Sequence, residues 1–370
     1  MKKNYNKLIY FIAGEPSGDL HGSNVLRELN ILNEEIKYRG LGGPFMQKQG
    51  LHPIADFSRL SIMGFSEVIN ELPFFIKLKK LVIKDISIHR PSKIVLVDYP
   101  GFNLKIAQNI KKKFSNIDIV YYISPQLWAW KEGRINIIKK YIDKMIVIFP
   151  FEVSWYEKRG VDVKYFGHPL IDIHNQQQII DKNTTKKTIG IFPGSRPQEI
   201  KRHIPVLKDV IASIQKTRQD IKFIIGLAPG VSKKIISSLG LKKNFQIIQG
   251  NSFVGFELSD VAIVASGTAT LECAITKTPC VVIYKTSIIN WLIASFFMNV
   301  KFISIVNILG GKFIFSELLQ NKCVPHLIVK KTFKLLNQNN KGLKQDLQSI
   351  VGSLGGGDSY IKTAKYILNH

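Results

Sequence analysis

Lys93–Val97 (KIVLV) and Val261–Ala265 (VAIVA) are unbroken apolar runs of strand length. A strand with one wet face alternates apolar and polar residues. A continuous run is buried on both faces, as in a parallel sheet covered by helices on either side. Leu8–Ala13 (LIYFIA), 119–123 (IVYYI), 145–149 (MIVIF) and Lys222–Leu227 (KFIIGL) read the same way. The runs break off at Gly, Pro, Ser or Asp, and helical stretches follow. Strand, turn and helix repeated in that order make a doubly wound α/β fold.

The 370 residues suffice for two domains with a large core, and 45% hydrophobic with 21% charged residues describes a folded chain. Residues 172–187 (DIHNQQQIIDKNTTKK) are polar and lack amphipathic period, so they read as a linker, and the α/β alternation restarts at Thr188. The expected division is an N-terminal domain over 1–175, a linker over 176–187, a second domain over 188–340 and a helical tail over 341–370 that packs back on an N-terminal domain. The tail ends in an amphipathic helix, Ser359–Leu368. Lys and Arg number 52 against 27 Asp and Glu, a formal net charge of +25. Such a charge favours an anionic partner: nucleic acid, an acidic membrane surface or a phosphorylated substrate. Part of it is also what a compositional bias toward Lys, Ile and Asn would produce. No helix-turn-helix, RRM, KH or zinc signature supports the nucleic-acid class. The three cysteines, Cys273, Cys280 and Cys323, form no C-x-x-C pair, which fits buried, reduced thiols. The basic start and apolar run at the N-terminus resemble a signal peptide, but Glu15 and Asp19 follow the run at once, so a first strand is the better reading. No window reaches the roughly 18 apolar residues of a spanning helix.

The turns carry the chemistry. In 188–200 (TIGIFPGSRPQEI) a short strand ends at Pro193-Gly194, and Pro197 suits the first turn of a helix. Gly194, Ser195 and Arg196 then offer free backbone N–H groups, a helix dipole and a planar guanidinium, the equipment of a phosphate site. The plainer reading is an ordinary turn whose Arg makes a surface salt bridge. A second such turn follows VAIVA, at Ser266-Gly267-Thr268-Ala269-Thr270, with Glu272 one turn into the helix and placed to accept from a ribose. Two anion turns in one domain favour a nucleotide. Residues 303–308 lead to Asn307 and Gly310-Gly311, read as a further loop.

In the first half, LIYFIA exits into Gly14-Glu15-Pro16-Ser17-Gly18-Asp19, with a helix expected over 20–32. Ser17 and Asp19 are natural N-cap residues, and the turn also lies at the ligand-binding edge of the sheet. It lacks G-x-G-x-x-G, so no dinucleotide site is read there. Asp98 ends KIVLV, where α/β enzymes keep catalytic groups; alternatively it stabilises the Pro100-Gly101 turn. His168 reads equally as a hinge residue or a catalytic one. Trp128 and Trp130, beside Arg134, read as packing or as a cleft wall. In 69–86 aromatics mix with lysines: a core helix with a basic face, or a helix pressing Phe74 and Phe75 into an anionic membrane. Residues 288–300 are too few to span a bilayer and read as a core helix.

Two doubly wound Rossmann-like halves joined by a linker and facing a central cleft describe a GT-B-type architecture. No D-x-D occurs in the chain, which argues against a metal-bridged diphosphate, and no metal or cofactor is expected. At this point the chain resembles the lipid-A-disaccharide synthases, bacterial glycosyltransferases of lipid A assembly. The resemblance rests on AGEPSGD (13–19), GLGGPFM (40–46), MGFSEV (63–68), DYPGFN (98–103), SPQLWAW (124–130), FGHPL (166–170), FPGSRPQEI (192–200), SGTATLE (266–272) and SELLQ (316–320). Together these segments run over nearly the whole chain. The resemblance implies an inverting transfer from UDP-2,3-diacylglucosamine to 2,3-diacylglucosamine 1-phosphate, releasing UDP, at the cytoplasmic face of the inner membrane. It implies Asp98 as base. UDP would be held by Gly194, Ser195, Arg196, Ser266, Gly267, Thr268, Ala269, Thr270, Glu272 and Asn307, and the acceptor lined by Glu15, Ser17, Asp19 and Glu67. It leaves room for a homodimer. Gly101 departs from a second acid in many relatives, and Ser316 from a common Pro. The alternatives are another GT-B enzyme acting on soluble UDP-sugars, such as an epimerase, and a basic nucleic-acid-binding protein.

Overall fold

A computed structural model describes residues 7–57, 60, 72–177, 186–241, 243–287, 291 and 301–369. The chain forms two compact units, one of residues 1–172 with 354–370 and one of residues 173–353.

The first unit contains a seven-stranded sheet. Its strands are β1 (Leu8–Ala13), β2 (Lys37–Leu41), β3 (Leu51–Pro53), β4 (Lys93–Val97), β5 (Asp118–Tyr122), β6 (Lys144–Val147) and β7 (Lys164–Tyr165). The helices between them are α1 (Pro16–Leu32), α2 (Pro44–Lys48), α3 (Leu72–His89), α4 (Pro100–Lys113), α5 (Ile135–Tyr141) and α6 (Pro150–Glu157); α7 (Pro169–Asn175) follows β7. Every pairing is parallel, in the order β3-β2-β1-β4-β5-β6-β7. The order reverses between β1 and β4, so the loops leaving these two strands diverge and open a crevice at their carboxyl ends. LIYFIA and KIVLV are the two central strands, and all of KIVLV is buried, as unbroken apolar runs require. α1 begins at Pro16, four residues before the expected start. Pro16 fits a first helical position, with Glu15 as the N-cap.

The second unit repeats the plan with β8 (Thr188–Phe192), β9 (Lys222–Leu227), β10 (Phe245–Gln249), β11 (Val261–Ala265), β12 (Cys280–Tyr284) and β13 (Ser316–Leu319). Its helices are α8 (Pro197–Thr217), α9 (Ile235–Ser238), α10 (Ser252–Glu257), α11 (Thr268–Ile275), α12 (Ile305–Gly310), α13 (Pro325–Asn337) and α14 (Lys341–Ser353). The parallel order is β10-β9-β8-β11-β12-β13, with the switch between β8 and β11. Asn307 lies on α12, not in a loop.

The tail divides. α14 stays with the second unit, where it buries Leu347 and Ile350, the latter against Gly310. The last helix, α15 (Ser359–Leu368), packs on α1 of the first unit, where Tyr360 Oη lies 2.8 Å from His21 Nδ1. Ser359 N–H donates to Asp172, and Lys93, buried at the start of β4, caps the end of α15 through the carbonyls of Ile367, Leu368 and Asn369. The segment 288–300 lies, apart from Trp291, outside the described residues.

Candidate functional site

In the second unit the two turns expected to bind an anion both sit at the switch point, after β8 and β11. β8 exits into Gly194, whose φ of +116° lies in the region that favours glycine. Arg196 is the N-cap of α8 and Pro197 its first residue. From β11, Gly267 (φ +153°) is the N-cap of α11. The first N–H groups of α8 and α11 have no partner within their own helices and carry the positive dipole ends. A cavity of about 200 Å³ is lined by Gly194 and Ser195 from one turn, by Ser266, Gly267, Thr268 and Ala269 from the other, and by Glu272. Burial raises the Glu272 carboxyl above its usual range, against a hydrogen bond from Ser252. Arg196 is exposed and pairs with Glu199 at 3.3 Å, so its guanidinium already sits beside a carboxylate at the cavity rim.

The far wall was not read from the sequence. Ala228, Pro229, Gly250 and Ser252, from the exits of β9 and β10, complete the cavity. Gly226 was the available signal: a glycine inside a strand marks a close approach. A Cβ there would fall 2.2 Å from the Phe192 ring, which lines the cavity and stacks on Phe256 at 3.9 Å.

Two residues expected to hold a nucleotide face inward instead. Thr270 is fully buried, and its hydroxyl donates to the Gly267 carbonyl at 2.8 Å, bracing the turn. Asn307 is fully buried as well. Its amide donates to Phe315 O and Glu317 and accepts from the N–H groups of Ile314 and Phe315, so the polar capacity expected for UDP closes a loop.

In the first unit the switch point joins the β1 and β4 exits. Asp98 is half-buried at the end of β4, and Asp98 and Tyr99 both adopt left-handed backbone, with φ of 45° and 52°. Such residues cost about 1–3 kcal/mol each and persist only where neighbours over-determine them. Here the Asp98 carbonyl accepts from Tyr121 Oη at 2.6 Å and from Asn103 Nδ2 at 2.7 Å, both from fully buried side chains. The turn folds the Tyr99 ring over Gly14, where a Cβ would lie 2.4 Å from it. Burial raises the Tyr99 phenol pKa, and the Glu15 carboxylate adds to the rise, so Glu15 stands beside the Asp98–Tyr99 turn. Ser17 is exposed in the first turn of α1. Asp19 is not available to a ligand: it is 2% exposed, and its two oxygens accept the N–H groups of Phe45 and Met46 at 3.1 and 3.0 Å, clamping the start of α2. Glu67 lies outside the described residues.

The remaining sequence candidates resolve as follows. His168 is buried; its Nδ1 accepts from Leu170 N–H, its backbone N–H donates to Leu354 O, and burial lowers its imidazole pKa to about 3, so it braces the chain. Trp128 packs in the first unit, edge-on to Phe151, and its indole donates to the buried Glu152. Phe74 and Phe75 are half-buried, and Phe75 packs on Tyr99 and Phe102, behind the Asp98 turn. They do not form the outer face of α3. That face shows Leu72 (49% exposed), Ile76 (43%) and Leu81 (41%) among exposed Lys77, Lys80 and Lys84. No described helix is long and apolar enough to cross a membrane.

Two parallel-sheet α/β units, each with its loops gathered at a switch point, make this a protein of the GT-B fold. The fold matches the UDP-GlcNAc 2-epimerase of Neisseria meningitidis bound to UDP-GlcNAc, with a TM-score of 0.63, 15% identity, and 98% of this chain and 99% of that one covered. It also matches the calicheamicin glycosyltransferase at a TM-score of 0.62 and 11% identity, covering 97% of each chain. The sequence profile described as Lipid-A-disaccharide synthetase matches residues 9–365. Lipid-A-disaccharide synthase 1 of Legionella pneumophila (strain Paris) is 37% identical over 324 residues, 85% of this chain and 84% of the relative. The synthase of Trichlorobacter lovleyi is 32% identical over 378 residues, 98% of this chain and 97% of the relative. The chain belongs to the lipid-A-disaccharide synthase family, glycosyltransferases of lipid A synthesis.

Proposed function

We propose that this protein condenses UDP-2,3-diacylglucosamine with 2,3-diacylglucosamine 1-phosphate to a lipid A disaccharide 1-phosphate and UDP. The observation that carries this reading is the cavity between the β8 and β11 exits, where two helix N-termini meet. The diphosphate lies against the N–H groups of Gly194, Ser195 and 267–269, with Arg196 turned from Glu199 onto its oxygens. Glu272 accepts from the ribose, and the exits of β9 and β10 hold the base. As the anomeric C–O bond breaks, negative charge grows on the leaving UDP, and donors already in place stabilise it without rearrangement. Asp98 takes the proton of the acceptor hydroxyl while that oxygen attacks the anomeric carbon, which inverts configuration. Glu15 and Ser17 flank the acceptor. The outer face of α3, where exposed Lys77, Lys80 and Lys84 lie between Leu72 and Ile76 on one side and Leu81 and Ile88 on the other, rests on the anionic cytoplasmic face of the inner membrane, where acylated substrates reside.

Incubating the protein with the two acylated glucosamines is expected to yield the disaccharide and UDP by mass spectrometry. UDP release without disaccharide, or epimerised UDP-sugar, would assign the site to another GT-B enzyme.

A further inference from the structure

The loop leaving β5 carries cations that neither the nucleotide cavity nor the Asp98 turn employs. β5 lies beside β4 with Tyr122 opposite Val97, and Asp98 N–H donates to Tyr122 O, so the chain after Tyr122 starts alongside Asp98. This loop, 123–134, holds one acid, Glu132, and two cations, Lys131 and Arg134. Glu132 is engaged by Arg159 at 2.7 Å, and Arg159 in turn lies on the Trp155 ring, 3.9 Å from its centroid. Arg134 is half-buried and has no ion pair among the described residues. Lys131 holds left-handed backbone (φ 55°), a conformation that persists only where the fold over-determines it, with its ammonium 4.3 Å from the Trp130 centroid.

The two charges feel each other. Burial lowers the Lys131 pKa, and the nearby Arg134 lowers it further. Arg134 also reaches the buried Tyr121 phenol, offsetting part of the rise that burial and the Asp98 and Tyr156 charges impose on it. That phenol is the group bonded to the Asp98 carbonyl. Arg134, whose backbone N–H donates to the Lys131 carbonyl at 3.1 Å, therefore stands in the loop beside the catalytic turn, and the one acid of that loop is engaged by Arg159. A guanidinium fork in that place matches phosphate oxygens.

We propose that Arg134, assisted by Lys131, binds the phosphomonoester of the acceptor and makes the enzyme select a phosphorylated acceptor. The inference rests on the acceptor reading above. The phosphate ties down one end of the sugar while its hydroxyl meets Asp98, and the nucleotide diphosphate has its own site in the second unit.

The test compares 2,3-diacylglucosamine 1-phosphate with the same sugar lacking phosphate, for wild type, Arg134→Ala and Arg134→Lys. Wild type is expected to prefer the phosphorylated acceptor. Arg134→Ala should raise its KM by about 10- to 100-fold, the worth of a charge-assisted hydrogen bond. KM for the UDP donor and rates with the phosphate-free acceptor should hold, and Arg134→Lys should fall between. An equal loss with both acceptors, at unchanged melting temperature, would overturn the proposal while disaccharide formation upheld the function. A variant that kept its KM but floated less well with phosphatidylglycerol vesicles would mark a lipid headgroup contact and equally overturn it. No disaccharide from wild type with either acceptor would sink the function itself, and the proposal with it.

Discussion

The Tyr121 hydroxyl donates to the Asp98 carbonyl at 2.6 Å, and so a fully buried residue of β5 fixes the backbone of the turn that presents the carboxylate. Asn103, one turn into α4, supplies the second donor to the same oxygen. Tyr121→Phe removes the first and leaves the second. It is expected to cost about 1 kcal/mol of stability, the net worth of a hydrogen bond. It should lower kcat by about 10- to 100-fold through displacement of the base. KM for the UDP donor should not move. Denaturant titration and steady-state kinetics separate the two effects, and an unchanged kcat would show that the turn holds without this bond.

Arg196 pairs with Glu199 at 3.3 Å and is 65% exposed. Arg196→Ala is expected to weaken UDP binding about tenfold, near the lower worth of a charge-assisted hydrogen bond. Calorimetry with UDP checks this, and unchanged affinity would leave Arg196 as a surface ion pair.

Glu152 is buried under α6 and accepts from Ser124, Trp128 and the N–H groups of Ile148 and Phe149. Burial nevertheless outweighs these donors and pushes its pKa from 4.5 to about 7. A carboxyl raised on folding adds stability below its unfolded pKa and loses it as pH climbs through the folded one. Wild type should therefore lose about 3 kcal/mol, relative to Glu152→Gln, as pH rises from about 4.5 to about 7.5. Urea melts across that range test the sign; a parallel pH course for the two proteins would show that the four donors keep the carboxylate ionised.

The exposed apolar groups of α3 are Leu72, Ile76, Leu81 and Ile88. Leu72→Ser with Ile76→Ser is expected to reduce flotation with anionic liposomes and to leave the melting temperature within a degree or two. Phe74→Ser with Phe75→Ser should instead destabilise the protein, because Phe75 packs on Tyr99 and Phe102. Equal flotation of the Leu72/Ile76 variant and wild type would remove this face from the membrane.

The frame of the fold was legible because burial on both faces leaves an unmistakable trace: KIVLV and VAIVA, with no polar residue after the first Lys, had to be central parallel strands. The glycine turns followed from the same logic, since Gly194 and Gly267 occupy backbone that other residues rarely adopt. What escaped was the direction of polar side chains within those turns. Asp19, Thr270 and Asn307 stand in segments expected to meet a ligand, yet they spend their hydrogen bonds within the protein, chiefly on backbone groups of nearby turns. A sequence shows that a turn needs polar atoms, not whether it or a ligand uses them. The left-handed pair at Asp98 and Tyr99 was equally hidden, because the donors that hold it come from Tyr121 and Asn103, read only as a strand residue and a turn residue. The split of the tail depended on where Ile350 and Tyr360 find their cavities, and periodicity alone does not locate them.

Asp98 as the base is the claim on which the chemistry turns. The direct test is Asp98→Asn, measured for disaccharide turnover and, on the same preparation, for UDP affinity by calorimetry. The account predicts a fall in turnover of about 10²- to 10⁴-fold, the usual worth of a positioned base, with UDP binding unchanged. Near-normal turnover would contradict it.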